Sequence, residues 1–418
     1  MRHYLSHAGF IFSAAVLIGG ASAVAVGQVA LATPRAAAAM AAPASPGAAS
    51  SAGQLHAVAA VSSKDVWAVG CSGSCNGPDS LVLHWNGTTW SKVASPDPGT
   101  GFDELTGVSA VSASNVWAVG YACDTANCDG TTNVFSTLVL HWDGAKWSAV
   151  TSPDPSTVSN LLYGVTAVSA TNVWAAGSEI PDASTLLSTT MVLHWNGRKW
   201  SRVHSPTVAD ASTTLYGLSA DSATDAWAVG NECIEPACPD PDITTGTFTM
   251  HWNGTKWSRV ASPSPGGASN VLFGVSGVTP DNAWAVGDTI NTFPGDTDAL
   301  IVHWNGAKWS QVTGANPGSG FNDLQAVSAA SASDIWATGL QSGASLPYAT
   351  LTEHWNGNSW SAVASPNGTT SSVGLNVNFL SGVSAISRTD AVAVGWVQIG
   401  TAYQVLILKW NGTKWSIA

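Results

Sequence analysis

From Leu55 onward the apolar positions fall in short runs of alternating hydrophobicity, each closed by glycine, Asn-Gly or proline. A representative unit reads "LTGVSAVSASNVWAVG" (105–120) followed by "LVLHWDGAKWSAVTSP" (138–153). Four strands are expected in it. "GVSAVS" is small and alternating, "VWAVG" is β-branched and aromatic, "LVLHW" is apolar, and "WSAVTSP" is amphipathic and ends at proline. Asn-Gly or Asp-Gly between the third and fourth is a hairpin signal, since both positions tolerate positive φ. The Asp or Asn before the second strand (Asp65, Asn115, Asn172, Asp225, Asn282, Asp334) fits a tight turn.

The unit recurs seven times, starting at Leu55, Leu105, Leu162, Leu215, Leu272, Leu324 and Leu380, at intervals of 50–57 residues. A repeat of this length built from four short strands predicts an all-β, seven-bladed β-propeller with four antiparallel strands per blade over 55–418. The Gly/Ala/Ser-rich first strand suits the crowded axis. The fourth strand, with charge and a terminal proline, suits the outer edge. Blade seven departs, with Val392 where the second-strand tryptophan belongs and Lys409 in place of the third-strand histidine. Repeat one opens on a first strand and repeat seven ends on a fourth. The ring therefore closes by packing alone, or the blade frame is shifted so that the termini share a blade.

The pattern resembles that of secreted bacterial propellers with kelch-like or Asp-box-like repeats, including photosystem-assembly-type propellers. It shares their hydrophobic strand ending in Gly and a later G-x-x-W. The resemblance is architectural and implies a blade fold without specifying an activity. One glycine stands where kelch repeats usually have two, and Trp85 replaces the Asp-box aspartate.

The first 32 residues differ in character. An uncharged apolar run (8–32) follows Arg2 and ends in small-residue patterns, "ASA" and "ALA", which reads as a secretory signal peptide, with an N-terminal anchor as the alternative. Residues 33–54 form an Ala/Pro/Ser-rich linker. An exported, extracellular or cell-surface monomer is the expectation. Export suits six cysteines arranged in three local pairs, Cys71/Cys75, Cys123/Cys128 and Cys233/Cys238, which read as disulfides. Zinc is the competing reading; it is disfavoured because the spacing is unusual and no histidine lies beside the pairs in sequence.

Charge narrows the partner. The chain has 14 basic and 26 acidic residues, a net charge of -12. Nucleic acid and anionic membrane surfaces are excluded, since both need clustered Lys and Arg. The histidine row (His84, His141, His194, His251, His303, His354) sits on successive third strands and cannot converge on one ion. Its members are expected to be satisfied by the neighbouring blade. The Asn-Gly-Thr triplets at Asn86, Asn253, Asn367 and Asn411 are mostly turn chemistry, although they match the N-glycosylation pattern.

The long loops joining strands two and three, and one unit to the next, collect the acidic residues. Among those assigned there are Asp79, Asp97, Asp103, Glu104, Asp154, Glu179, Asp182, Asp210, Glu232, Asp240, Asp288 and Asp323, and no Lys or Arg. One face is thus expected to be strongly negative and stiffened by the disulfides. Acidic loops also serve solubility alone. Ca²⁺ held by loop carboxylates in "PACPDPDITTG" or "FPGDTDA" is compatible with the composition, without EF-hand spacing.

The expected role is a non-catalytic binding module for an extracellular protein or glycan, touching it through Tyr121, Asp124, Asp129, Phe135, Glu235, Asp242, Asp296 and Asp298. No catalytic residue and no metal ligand is assigned. The alternative is a glycoside hydrolase or other carbohydrate-active propeller enzyme using a carboxylate pair on the same face. A sialidase-type arginine cluster and a copper-oxidase site both lack the necessary residues.

Overall fold

The computed structural model describes residues 51–75, 79–123, 134–233, 245–290, 296–343, 348–368 and 376–418. These form 28 strands, numbered in chain order, four to a blade in seven antiparallel blades. Blade one is β1 (Gly53–Ser62), β2 (Asp65–Ser72), β3 (Ser80–Trp85) and β4 (Trp90–Lys92), hydrogen-bonded in that order. β1 thus begins just inside the stretch assigned to the linker. Single parallel bridges join blade two to three (Phe135–Ser159), five to six (Thr297–Phe321) and six to seven (Tyr348–Val377). Helices are absent among the described residues, and so is any helix that could cross a membrane.

The first strands are innermost. They are β1, β5 (Phe102–Ser112), β9 (Ser159–Ser169), β13 (Thr213–Ser222), β17 (Ser269–Thr279), β21 (Phe321–Ser331) and β25 (Asn376–Ser387). Each packs against the first strand on either side, and β25 packs against β1. The approach is close enough to require glycine: a Cβ on Gly217 would stand 2.7 Å from the Phe273 carbonyl oxygen of the next blade.

The core lies between blades. Trp67 of β2 is 1% exposed. It stacks on His84 of its own blade at 4.2 Å, while Trp142 and Trp147 of the next blade lie at 4.9 and 5.4 Å. The same layering recurs at Trp117, Trp174, Trp227, Trp284 and Trp336. Third-strand tryptophans staple the turn between the first two strands: Trp85 Nε1 donates to the Ser63 carbonyl at 3.2 Å and Trp142 to that of Ala113 at 3.0 Å.

The histidines are satisfied within their own blades, not by the neighbour as expected. Their partners are the Asp or Asn residues assigned above to the turn. His84 meets Asp65 at 2.8 Å, His141 Asn115 at 3.0 Å, His194 Asn172 at 2.8 Å, His303 Asn282 at 2.9 Å and His354 Asp334 at 2.7 Å; His251 pairs with Asp225. Each clamps the start of the second strand to the end of the third. In blade seven Lys409 faces Asp390 at 4.0 Å, and its ammonium sits 5.4 Å over Trp85 of blade one.

Among the described residues no strand crosses the seam and the termini share no blade, although an antiparallel bridge joins Ala52 to Gln404 of blade seven. Leu55, Val58, Leu83 and Trp90 pack with Val392, Val394, Val405 and Ile407. Closure is not by packing alone, because Val405 N also donates to the Ser51 carbonyl at 3.1 Å. A ring of hydroxyl contacts adds to it. Inner-strand Ser or Thr side chains accept from a backbone N–H of the following blade: Ser109 from Ala167, Thr166 from Ala220, Ser219 from Gly277, Ser276 from Ala329, Ser328 from Ala385 and, across the seam, Ser384 from Ala60. At the seventh station, between blades one and two, Ala59 stands where the hydroxyl belongs, opposite Trp67 as Ser109 is opposite Trp117.

Each such bond contributes about 1 kcal/mol. Ser384→Ala is therefore expected to lower stability by about that amount, and Ala59→Ser to raise it by up to the same. Denaturant midpoints check both. A Ser384→Ala midpoint no lower than that of the exposed control Ser387→Ala would rule out a role at the seam.

Candidate functional site

The site begins with a defect repeated in every blade. Pairing of the first strand with the second skips one residue, so that Leu55 faces Gly70 but Ala57 faces Val69. The skipped residues are His56, Thr106, Tyr163, Tyr216, Phe273, Gln325 and Ser381. A bulge frees its extra residue from the ladder and re-aims the side chain. The glycine closing "VWAVG" permits it: a Cβ at Gly120 would lie 1.8 Å from the Glu104 carbonyl oxygen.

The freed side chains meet around the inner rim. Tyr163 and Tyr216 rings are 5.4 Å apart, and Tyr216 and Phe273 are 5.5 Å apart. Tyr163 reaches Tyr121 of blade two at 6.3 Å. The Tyr121 hydroxyl donates to Glu104 Oε2 at 2.8 Å, and Glu104 Oε1 lies 3.2 Å from His56 Nε2. On the other side of the arc, Asp288 and Asp323 oppose each other's ionisation, and Gln325 Nε2 donates to both oxygens of Asp323 at 2.7 and 2.8 Å. One arc of titratable and aromatic groups thus spans blades one to six.

Burial sets the protonation of this arc. Desolvation pushes the Glu104 carboxyl up to about 7 against the opposing hydrogen bond from Tyr121. It lowers His56 to about 4. Tyr216 rises to about 12, chiefly from desolvation, with the Asp288 charge adding to it and a Thr214 hydrogen bond opposing. Asp288 is raised by desolvation and then by the charge of Asp323, and Asp323 is raised by its own burial. Near pH 7 His56 is neutral and Glu104 is poised between acid and base. No Lys or Arg belongs to the arc.

The other acidic residues have different duties. Asp103 accepts from Gly99 N at 3.1 Å, occupying the slot where Asn160, Asn270, Asn322 and Asn378 clamp the incoming loop of their own blades. Asp97 and Asp154 accept from Ser80 N and Thr137 N at 2.8 and 2.6 Å. Glu179 and Glu232 are buried and ion-paired to Arg202 and Arg259. That corrects the expected charge map. Asp103, Glu104, Glu179, Glu232, Asp288, Asp298 and Asp323 lie in strands, not loops, and two arginines from fourth strands reach the carboxylates of this end. Asp79, Asp182, Asp210, Asp296 and Asp298 are exposed.

Of the residues expected to touch a ligand, Tyr121 and Phe135 are 3% and 0% exposed. Both lie in strands and are packed with each other and Cys123, so Tyr121 acts through Glu104 and Phe135 supports it from behind. Asp296 and Asp298 stand exposed at and beside the start of β19 (Thr297–Trp304). Asp124, Asp129, Glu235 and Asp242 lie outside the described residues, as does most of the expected Ca²⁺ segment 236–246.

Cys71 and Cys75 are disulfide-bonded as expected. Cys123 and Cys233 are also disulfide-bonded; their expected partners, Cys128 and Cys238, lie outside the described residues. A histidine does lie beside the first pair: His56 Nε2 is 3.5 Å from Cys71 Sγ and 4.0 Å from Cys75 Sγ. Sequence reasoning missed it because fifteen residues separate His56 from Cys71.

No known family matches the chain, and neither does any curated protein. Solved structures do. The chain is similar to a PL25 ulvan lyase, a polysaccharide lyase bound to a GlcA(1-4)Rha3S saccharide, with a TM-score of 0.54 and 10% identity over 89% of this chain and 96% of that one. It is also similar to YCF48 bound to D1 peptide, with a TM-score of 0.48 and 12% identity over 87% and 94%. A Dyadobacter fermentans protein of unknown function gives 0.47 and 9% over 86% and 94%. At these identities the likeness to the lyase is one of fold, a β-propeller. The likeness supports the propeller fold and does not show a kelch or Asp-box family.

The arc carried a sequence signal of its own. Aligned on the repeat leucine, the next position reads His, Thr, Tyr, Tyr, Phe, Gln, Ser, while its flanks keep to small and apolar residues. Six residue types at one geometric station are not what a scaffold needs.

Proposed function

We propose that the protein is an exported, non-catalytic β-propeller that binds a glycan at the axial end where the arc opens toward the long loops. The observation that carries this reading is the arc itself. Tyr163, Tyr216 and Phe273 offer adjoining aromatic faces, and Glu104, Asp323 and Gln325 offer hydrogen-bonding groups beside them. Apolar rings with a few placed polar groups are the usual lining of a small-molecule site.

The chemistry favours an uncharged or cationic saccharide. The lyase neighbour's saccharide carries uronate and sulfate, whereas the arc here contributes carboxyls and no cation. A buried carboxyl facing an anionic sugar is repelled without a compensating Lys or Arg.

A glycan array probed with the full chain is expected to give neutral or amino-sugar hits, each weakened at least tenfold by Tyr216→Ala or Phe273→Ala. Hits that survive both variants but vanish in Asp296→Lys/Asp298→Lys would move the site to the outer loops. A blank array together with a positive surface-protein pull-down would favour a protein partner.

A second reading, a carbohydrate-active enzyme, is favoured by the Asp288–Asp323 pair. Two carboxyls that oppose each other's ionisation can divide into acid and base. Turnover of a neutral polysaccharide that disappears in Asp288→Asn would establish it. The absence of turnover in an array-positive protein would remove it.

A further inference from the structure

The pairing of His56 with Cys71, Cys75 and Glu104 is more specific than a disulfide needs. Three donors, His56 Nε2 and the two Sγ atoms, lie within 4.8 Å of one another. From His56 Nε2 the separations are 3.5 Å to Cys71 Sγ, 4.0 Å to Cys75 Sγ and 3.2 Å to Glu104 Oε1. A tetrahedral zinc ion with bonds of about 2.0–2.3 Å sets its ligand atoms about 3.3–3.8 Å apart. The histidine therefore already stands at ligand spacing from one sulfur and one carboxylate, and close to it from the second sulfur. Glu104 is also oriented from behind: Tyr121 donates to its other oxygen at 2.8 Å, as outer partners of metal-bound carboxylates do.

We propose that, once the Cys71–Cys75 bond is reduced, His56, Cys71 and Cys75 bind one zinc ion, with Glu104 beside the open fourth position, 3.2 Å from His56 Nε2. The chemistry balances with a dithiol as reductant. The disulfide takes two electrons and two protons, its S–S bond breaks to give two thiols, and the dithiol becomes a cyclic disulfide. Zinc then displaces the two thiol protons to solvent as two Zn–S bonds form, and the neutral imidazole supplies the third ligand. In oxidising surroundings the same residues hold the disulfide and no thiolate pair exists. The site is thus a redox-gated one, with the metal and the disulfide mutually exclusive.

The donors span β1, β2 and the residues after it, with Glu104 on β5 beside them, so an ion here would sit where blade one meets blade two. This is the junction where Ala59 leaves the inner ring of hydroxyl contacts incomplete. The proposal shares Glu104 with the glycan reading but is tested by metal uptake and not by ligand binding, so either can fail without the other.

The test titrates Co²⁺, then Zn²⁺, into the dithiol-reduced full chain. Expected are one equivalent of Co²⁺ with an intense sulfur-to-cobalt charge-transfer band, displaced by Zn²⁺, and protection of two thiols from alkylation. Cys71→Ser should abolish the band, and His56→Ala should weaken affinity about 100-fold. Glu104→Gln should weaken it about tenfold and keep the band, and Tyr121→Phe a few-fold. A chain with Cys123, Cys128, Cys233 and Cys238 replaced by serine should behave as wild type. The proposal is overturned by the absence of a band or by a band unchanged in Cys71→Ser. It is equally overturned if reduction abolishes the native circular dichroism and Zn²⁺ does not restore it.

Discussion

Replacing Trp227 with alanine is expected to lower the free energy of unfolding by about 4 kcal/mol, at the upper end for a core truncation. Trp227 is 1% exposed. Its ring lies 4.4 Å from that of His251 and 4.8 Å from that of Trp304, and Trp309 meets it edge-on at 4.9 Å. The last two belong to the next blade, so the truncation opens a gap between sheets that the backbone hydrogen bonds of either sheet cannot close. In a ring of repeats most of the stability resides at such junctions.

Val392 marks the one junction already lacking this indole. There Val405 and Ile407 fill the space, and Lys409 lies over Trp85 of blade one. Blade four has no such compensation, since its equivalent residue is His251. Urea unfolding followed by far-ultraviolet circular dichroism checks the value. A loss below about 1.5 kcal/mol would mean that the indole layers do not hold the blades together.

The second large effect concerns pH. Asp323, 3% exposed, has its carboxyl raised by burial, and Asp288 beside it is raised by burial and by the charge of Asp323. In the unfolded chain both ionise near the ordinary carboxylate value. As pH rises from about 4 toward 7, the unfolded chain therefore releases protons that the folded chain retains, and stability falls. Glu104 acts in the same direction, from its ordinary 4.5 up to about 7. His56 acts oppositely: its folded value of about 4 lies below the ordinary 6.5, so folding is favoured as pH rises across that interval. The two contributions nearly cancel between about pH 4.5 and 6.5, which leaves the profile to the Asp288–Asp323 pair together with Asp221, raised to about 7 by desolvation and its hydrogen bond with Asp225, and Glu353, raised by burial.

We expect the protein to lose on the order of 3 kcal/mol between pH 5 and 7.5. Half-buried His141, His194 and His303, all lowered by desolvation, offset part of this at the acid end. Asp323→Asn, an isostere of the protonated acid, should stabilise the chain at pH 7.5 and flatten the profile. Unfolding midpoints at the two pH values decide the matter. Wild type that is as stable at pH 7.5 as at pH 5 would show the pair to be solvated and ionised in the folded state.

Both predictions rest on features with different visibility in the chain. The indole layers were legible from repetition: a tryptophan in the second strand in six repeats of seven, and another pair flanking Asn-Gly or Asp-Gly in all seven, dictate strands, hairpins and an apolar surface on each blade. The division of acidic residues was misread because first strands begin earlier, and second strands end later, than the pattern indicates. Asp103 and Glu104 look like loop residues beside "PDPGTGF", yet β5 already begins at Phe102. The arginines of "WSRV" look like surface charge, yet Arg202 and Arg259 reach buried Glu179 and Glu232.

Local alternation, turn chemistry and the fifty-residue period were enough to determine seven four-stranded blades and their order from axis to rim, because each signal acts over a few residues. The ring of hydroxyl contacts across the seam, the histidine beside Cys71, and the convergence of Glu104, Tyr163, Tyr216, Asp288 and Asp323 were decided only by the tertiary structure. Each depends on residues from different blades being brought together near a common axis. Distances between side chains separated by whole repeats are set by the curvature of the closed ring, for which no local pattern in the chain carries a signal.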